Sequence, residues 1–189
     1  MNRQTNLSQL PADLPVPEDD GGTQHLCGMR LPAVSLAATS GELVNLATLP
    51  RRTVIYAYPM TGVPGVPLPP DWDAIPGARG CTVEALAFKD HRTEIAELGA
   101  DVYGLSTQDT AYQQEMANRL HLPFAVLSDA NLELAKAMRL PMMDVDGQML
   151  LKRLTMVVSD GVVEQVFYPV FPPNAAATTV VEWLRKQTF

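Results

Sequence analysis

Thr53-Val54-Ile55-Tyr56-Ala57-Tyr58 is an unbroken apolar and aromatic run behind two arginines. A strand with one wet face alternates polar and apolar residues. This one does not, so it belongs in a sheet covered by helices on both faces, and the chain is α/β in class. The other segments arrange themselves around it. Ala33-Val34-Ser35-Leu36 and Leu43-Val44-Asn45-Leu46 read as short strands about a Thr39-Ser40-Gly41 turn. Residues 82–98 read as one helix, with Phe88, Ile95 and Leu98 on a common face and Gly99 as its stop. Val102-Tyr103-Gly104-Leu105-Ser106 is a second buried strand. A helix starts near Thr110, where Tyr112, Met116 and Leu120 recur every four residues. Phe124-Ala125-Val126-Leu127 is a third strand, and a short helix follows to Met138. Residues 153–158 and 162–167 flank Asp160-Gly161, which is hairpin-turn chemistry. Residues 175–186 close the chain as a helix burying Val180, Trp183 and Leu184.

Strands alternating with helices pair in parallel, and the terminal hairpin adds antiparallel strands. The expectation is a mixed central β-sheet flanked by helices on both faces, with Cys81 at the first strand-to-helix junction: a thioredoxin-like fold. A chain of 189 residues, 47% of them hydrophobic, suffices for a single core, read here as one domain over residues 23–189. Residues 1–22 are polar, proline-containing and acidic, and read as a flexible acidic tail. Between residues 59 and 76 six prolines exclude both helix and long strand.

The net charge of −7 argues against nucleic acid, and no stretch approaches the ~20 apolar residues of a membrane span. The N-terminus has no apolar signal region. Two cysteines cannot build a disulfide framework and suit a reducing compartment, so a cytoplasmic location is expected. His25, His91 and His121 show no metal-ligand spacing with the cysteines, and no metal or other cofactor is expected. Asp144-Val145-Asp146-Gly147 lacks the remaining ligands of a calcium loop and reads as a surface turn. Met138, Met142, Met143, Met149 and Met156 read chiefly as core filling, with an adaptable pocket wall as the alternative.

Cys81 is the candidate for chemistry, read as a reactive thiol in preference to the alternative of a buried structural one. It lies between Ile75-Pro76-Gly77-Ala78-Arg79-Gly80 and the start of a helix, where unpaired backbone N–H groups and the helix dipole favour a thiolate. Such settings bring a thiol from about 8.5 into the ~3.5–7.5 range, and Arg79 adjoins it in sequence.

The ordered set Tyr58-Pro59, Pro76-Gly77-Ala78-Arg79-Gly80-Cys81-Thr82-Val83-Glu84, Phe88-Lys89-Asp90-His91, Leu122-Pro123-Phe124, Leu127-Ser128-Asp129 and Arg153-Leu154-Thr155 resembles the peroxiredoxins, in particular their bacterioferritin-comigratory, or Q-type, branch. The resemblance implies a thiol peroxidase. Cys81 would be the peroxidatic cysteine and become a sulfenic acid, Arg153 would keep it ionised and bind the peroxide, and Glu84 would orient Arg153. Substrates would be hydrogen peroxide or organic hydroperoxides. Electrons would come from thioredoxin, glutaredoxin or a small thiol, and a homodimer is compatible with the pattern.

Two features depart from the family pattern. A proline-rich insertion, residues 61–75, separates Pro59 and Thr61 from Cys81. If it loops outward, Thr61 returns to hydrogen-bond the thiolate. The position five residues after Cys81, where the Q-type branch often carries a resolving cysteine, is Leu86. Cys27 is the other thiol, leaving a one-cysteine enzyme, the favoured reading, or a two-cysteine enzyme resolved by Cys27. The rival functions are a redox sensor with little turnover and a thiol–disulfide oxidoreductase. The latter is disfavoured by Cys81-Thr82-Val83-Glu84, which is not Cys-x-x-Cys.

Overall fold

The computed structural model describes residues 6–187. Nine strands and five helices follow in chain order: β1 (Ser35–Ala38), β2 (Leu43–Asn45), β3 (Arg52–Ala57), α1 (Cys81–Asp90), α2 (Arg92–Glu97), β4 (Ala100–Ser106), α3 (Thr110–Leu120), β5 (Val126–Ser128), α4 (Glu133–Met138), β6 (Met142–Val145), β7 (Gln148–Leu151), β8 (Leu154–Ser159), β9 (Val162–Phe167) and α5 (Ala176–Lys186). Seven strands form one sheet in the order β2-β1-β5-β4-β3-β8-β9. β3 pairs in parallel with β4, which pairs in parallel with β5, while β8 runs antiparallel on the other edge of β3. This is the expected mixed sheet of a thioredoxin-like fold.

The buried run does sit at its centre, and every residue of β3 after Arg52 is buried. Its side chains divide between two cores, as the two-residue period of a strand requires. Val54 and Tyr56 face α1, α2, α3 and α5, where Tyr56 stacks on Phe88 with ring centroids 4.5 Å apart. Ile55 and Ala57 face α4 and the segment around Leu26 and Leu31. Helices thus cover both faces, four on one and a single short helix on the other.

Three local differences from the expected elements have physical causes. The long helix is divided at His91, whose backbone sits at φ −94°, ψ 2° and whose ring Nδ1 shares the Ala87 carbonyl with the His91 N–H. The ladder resumes at Ile95 N–H to His91 O, so this is a kink and not a stop. Asp146-Gly147 is the turn of an unforeseen hairpin, β6–β7. Both residues have positive φ, and the Gly147 N–H donates to Asp144 Oδ1 at 3.0 Å. Met142, Met143 and Met149 carry little β-propensity, which hid the strands.

The insertion has a small core of its own. Trp72, buried in a one-turn 3-10 helix (Trp72–Ala74), packs with Ala78, Val145 and Leu150 and against Met60, Leu68 and Met143. Of the methionines, Met138 and Met156 are buried core, and Met149 is exposed.

Residues 1–5 of the expected tail lie outside the described residues. Residues 6–22 lie against the domain, tied by backbone acceptors and one carboxylate that composition alone did not mark. Arg79 Nη2 donates to Asn6 O at 2.9 Å, and the Asp20 carboxylate accepts from Lys152 Nζ at 2.6 Å and Tyr168 OH at 2.8 Å.

Candidate active site

Cys81 opens α1 directly after Gly80. Gly80 has φ +111°, and a side chain there would collide with the Pro173 ring, so glycine is required for the chain to enter the helix beside that loop. The first turn then places Cys81 and Glu84 on one side of α1, three residues apart, both buried. Arg153 enters from the residue before β8 and lies across them. Its Nη1 donates to Glu84 Oε2, and its Nη2 is 3.1 Å from Cys81 Sγ. Nη2 also faces the carbonyls of Gly77, Ala78 and Arg79 at 3.2, 3.0 and 3.2 Å. The guanidinium therefore holds the loop before Cys81 as well as its sulfur.

The arginine on the thiol is Arg153 and not its sequence neighbour Arg79. The buried Arg79 guanidinium points the other way, to Asn6 O and to the Asp73 carboxylate at 3.3 Å.

Thr61 returns to the vicinity of the site across the insertion, but its hydroxyl is directed elsewhere. Its N–H and Oγ1 donate to Gln108 Oε1 at 3.0 and 3.2 Å, and Gln108 Nε2 donates back to Thr61 O. The side chain on the sulfur is Arg153, and the backbone N–H of Met60, the residue before Thr61, lies near enough to favour the thiolate. Met60 and Gln108 were not among the residues singled out from the sequence. Gln108 follows the carboxyl end of a parallel strand, where α/β sheets gather functional side chains, and that position was the available signal.

Cys27 is exposed and Cys81 buried, and both are free. Gly28 N–H bonds Val163 O, and Val163 pairs with Val158, five residues along from Arg153. At ~3.3 Å per residue that is roughly 17 Å of strand. Cys81 lies toward the opposite end, beside Met60, beyond the last residue of β3. A disulfide needs Cα atoms within about 7 Å, so this arrangement keeps the two thiols of one chain apart.

The electrostatics are those of one cation shared by two acids out of reach of water. Burial pushes the Cys81 thiol above its ordinary value, against the pull of Arg153, and the Glu84 carboxylate pushes it further up. Burial raises Glu84 to about 7, with Arg153 opposing. In this closed arrangement desolvation is the largest influence on the thiol, opposed by the Arg153 guanidinium, so its pKa lies above the ordinary value instead of being lowered as the helix terminus alone suggests. The deprotonated fraction is correspondingly nucleophilic, since thiolate reactivity rises with pKa. Arg153 is held above its ordinary value by Cys81 and Glu84 despite its own burial. Among the described residues no three His, Cys, Asp or Glu side chains are grouped to hold a metal ion.

A cysteine, an arginine and a glutamate so arranged suit nucleophilic attack on an electrophilic oxygen. Comparison with known proteins agrees: residues 26–181 match the Redoxin family model. The chain belongs to the Redoxin family. Peroxiredoxin Q, chloroplastic, of Oryza sativa subsp. japonica is 28% identical over 170 residues, 87% of this chain and 71% of that protein. The redoxin fold superposes on peroxidoxin BcpB of Mycobacterium tuberculosis with a TM-score of 0.70 at 26% identity, covering 86% of this chain and 98% of the other. It also superposes on Xanthomonas campestris peroxiredoxin Q with a TM-score of 0.67 at 23% identity, covering 85% and 97%, a likeness of fold. This redoxin is a peroxiredoxin of the bacterioferritin-comigratory, Q-type branch, and a thiol-dependent peroxidase.

Proposed function

We propose that Cys81 is the peroxidatic nucleophile and that hydrogen peroxide or an organic hydroperoxide is its substrate. The observation that carries this is the contact of Arg153 Nη2 with Cys81 Sγ at 3.1 Å inside a buried site. Sulfur, as thiolate, attacks the terminal peroxide oxygen. The S–O bond forms as O–O breaks, and the departing hydroxide or alkoxide takes up a proton to leave as water or alcohol. Arg153, donating to the sulfur, is placed to donate also to the attacked peroxide, and the Met60 N–H supports the developing charge. Glu84 fixes the other end of the guanidinium. The sulfenic acid condenses with an external thiol, releasing water, and a second thiol reduces the mixed disulfide.

Thioredoxin, glutaredoxin or a small thiol would serve as reductant, and the placement of Cys27 supports the one-cysteine reading. The scarcity of cysteine supports work in a reducing compartment such as the cytoplasm. The test is Cys81→Ser with a thiol reductant and hydrogen peroxide. Loss of peroxide consumption is expected, and turnover equal to that of the unsubstituted chain refutes the assignment.

A further inference from the structure

The N-terminal segment crosses the loop that precedes Cys81, anchored at both ends. At one end the buried Arg79 guanidinium donates to Asn6 O at 2.9 Å. At the other the Asp20 carboxylate accepts from Lys152 and Tyr168, which hold it ionised with its pKa lowered to about 2. Between the anchors Leu10 packs over Gly80, its Cδ2 3.1 Å from where a β-carbon would stand, and Pro17 lies over Gly77. The segment does not fill the space beneath it. A cavity of about 450 Å³ remains, lined by Val16 and Pro17 of the segment, by Ile75, Met143 and Tyr168, and by Arg153. That volume is in the range of small-ligand sites, and the lining is mainly apolar, with Glu18, the paired Asp20 and Lys152, and Arg153 as its charged groups.

Arg153 joins this cavity to the thiol, because it lines the one and bonds the other at 3.1 Å. A molecule with a compact apolar body and a peroxide at its end would lay the body along Val16 and Pro17 and bring the O–O bond to the guanidinium. Hydrogen peroxide has nothing to place there. We propose that Val16 and Pro17 are specificity-determining residues, with the N-terminal segment forming one wall of the substrate site and favouring hydroperoxides bearing an aryl or branched alkyl group over hydrogen peroxide. The proposal rests on Cys81 as the peroxidatic nucleophile.

Single-turnover oxidation of the reduced full-length chain tests it, with cumene hydroperoxide and hydrogen peroxide as probes and folding checked by thermal melting. Val16→Trp, a substitution at an exposed position, fills the cavity from the segment's side. Asp20→Ala removes one anchor and alters the cavity lining only where Asp20 meets Lys152 and Tyr168. In each, the ratio of the cumene hydroperoxide rate constant to that for hydrogen peroxide falls at least about tenfold, the scale on which apolar pockets discriminate. A ratio that stays within about twofold in both variants overturns the proposal. So does a ratio that rises in Asp20→Ala, which would make the segment a cover over the site instead of a contacting wall. If neither probe oxidises Cys81 in the unsubstituted chain, the peroxidatic assignment fails and the proposal with it.

Discussion

Cys81 and Glu84 stand on one side of α1 and share the single guanidinium of Arg153. Two acids and one cation in a dry site compete for one compensating charge. Ionising either raises the cost of ionising the other, so their protons leave as those of a coupled pair.

The competition predicts the effect of Glu84→Gln. The amide oxygen still accepts from Arg153, but the negative charge that pushes the thiol up is gone. The pH midpoint for alkylation of Cys81 by iodoacetamide therefore moves down relative to the unsubstituted chain, whose midpoint lies above that of an ordinary thiol. A midpoint that moves up, or stays in place, would show that Glu84 does not act on the sulfur through its charge.

Stability carries the same signature with a definite sign. Glu84 titrates near 7 in the folded chain against 4.5 when unperturbed, so its protonated form is favoured by folding. That contribution is complete below about 4.5 and is lost as the pH rises through about 7. The melting temperature of the unsubstituted chain should thus fall relative to Glu84→Gln across this interval, by about 2–4 °C for each kcal/mol lost. Parallel pH profiles for the two proteins would contradict it.

Much of this frame is legible in the sequence. The run from Thr53 to Tyr58 marks the central strand because burial on both faces leaves no alternation to read. Asp160-Gly161 marks its hairpin through a turn that demands positive φ. Cys81, Glu84 and Arg153 are recognisable from their motifs, but their meeting depends on β8 lying beside β3, which is long-range pairing. The misassigned details depend on the direction of side chains. Thr61 turns to Gln108 and leaves the sulfur to the Arg153 guanidinium, and Arg79 turns to Asn6 although only Gly80 separates it from Cys81 in sequence. Composition likewise marks residues 1–22 as unable to form a core, and is blind to carbonyls and one aspartate that dock on a core made elsewhere.

Arg79→Ala separates support of the loop from chemistry. It removes donors to Asn6 O and Asp73 from a buried position, and should cost about 1–3 kcal/mol in chemical denaturation. Because Arg79 does not reach the sulfur, the rate of Cys81 oxidation should fall far less than on substitution of Arg153. An equal loss would mean that the loop, and not the guanidinium of Arg153, governs reactivity.

Trp72→Ala tests whether the proline-rich insertion supports the site. Trp72 packs with Ala78, whose carbonyl accepts from Cys81 Sγ at 3.5 Å, and against Met60, whose backbone acts on the thiol. The truncation should cost about 3–5 kcal/mol and slow Cys81 oxidation as the Met60 N–H loses its support. Loss of stability with an unchanged oxidation rate would mark the insertion as structurally independent of the thiol.

The most direct measurement is the rate at which hydrogen peroxide oxidises the reduced chain in a single turnover, compared with Arg153→Gln. Glu84, titrating near 7, can take up a proton when its partner is removed, so the variant can fold at slightly acidic pH. Loss of the donor that links thiol and peroxide should slow oxidation by about 10²–10³-fold at matched pH. A folded Arg153→Gln chain that is oxidised as fast as the unsubstituted one would contradict the account.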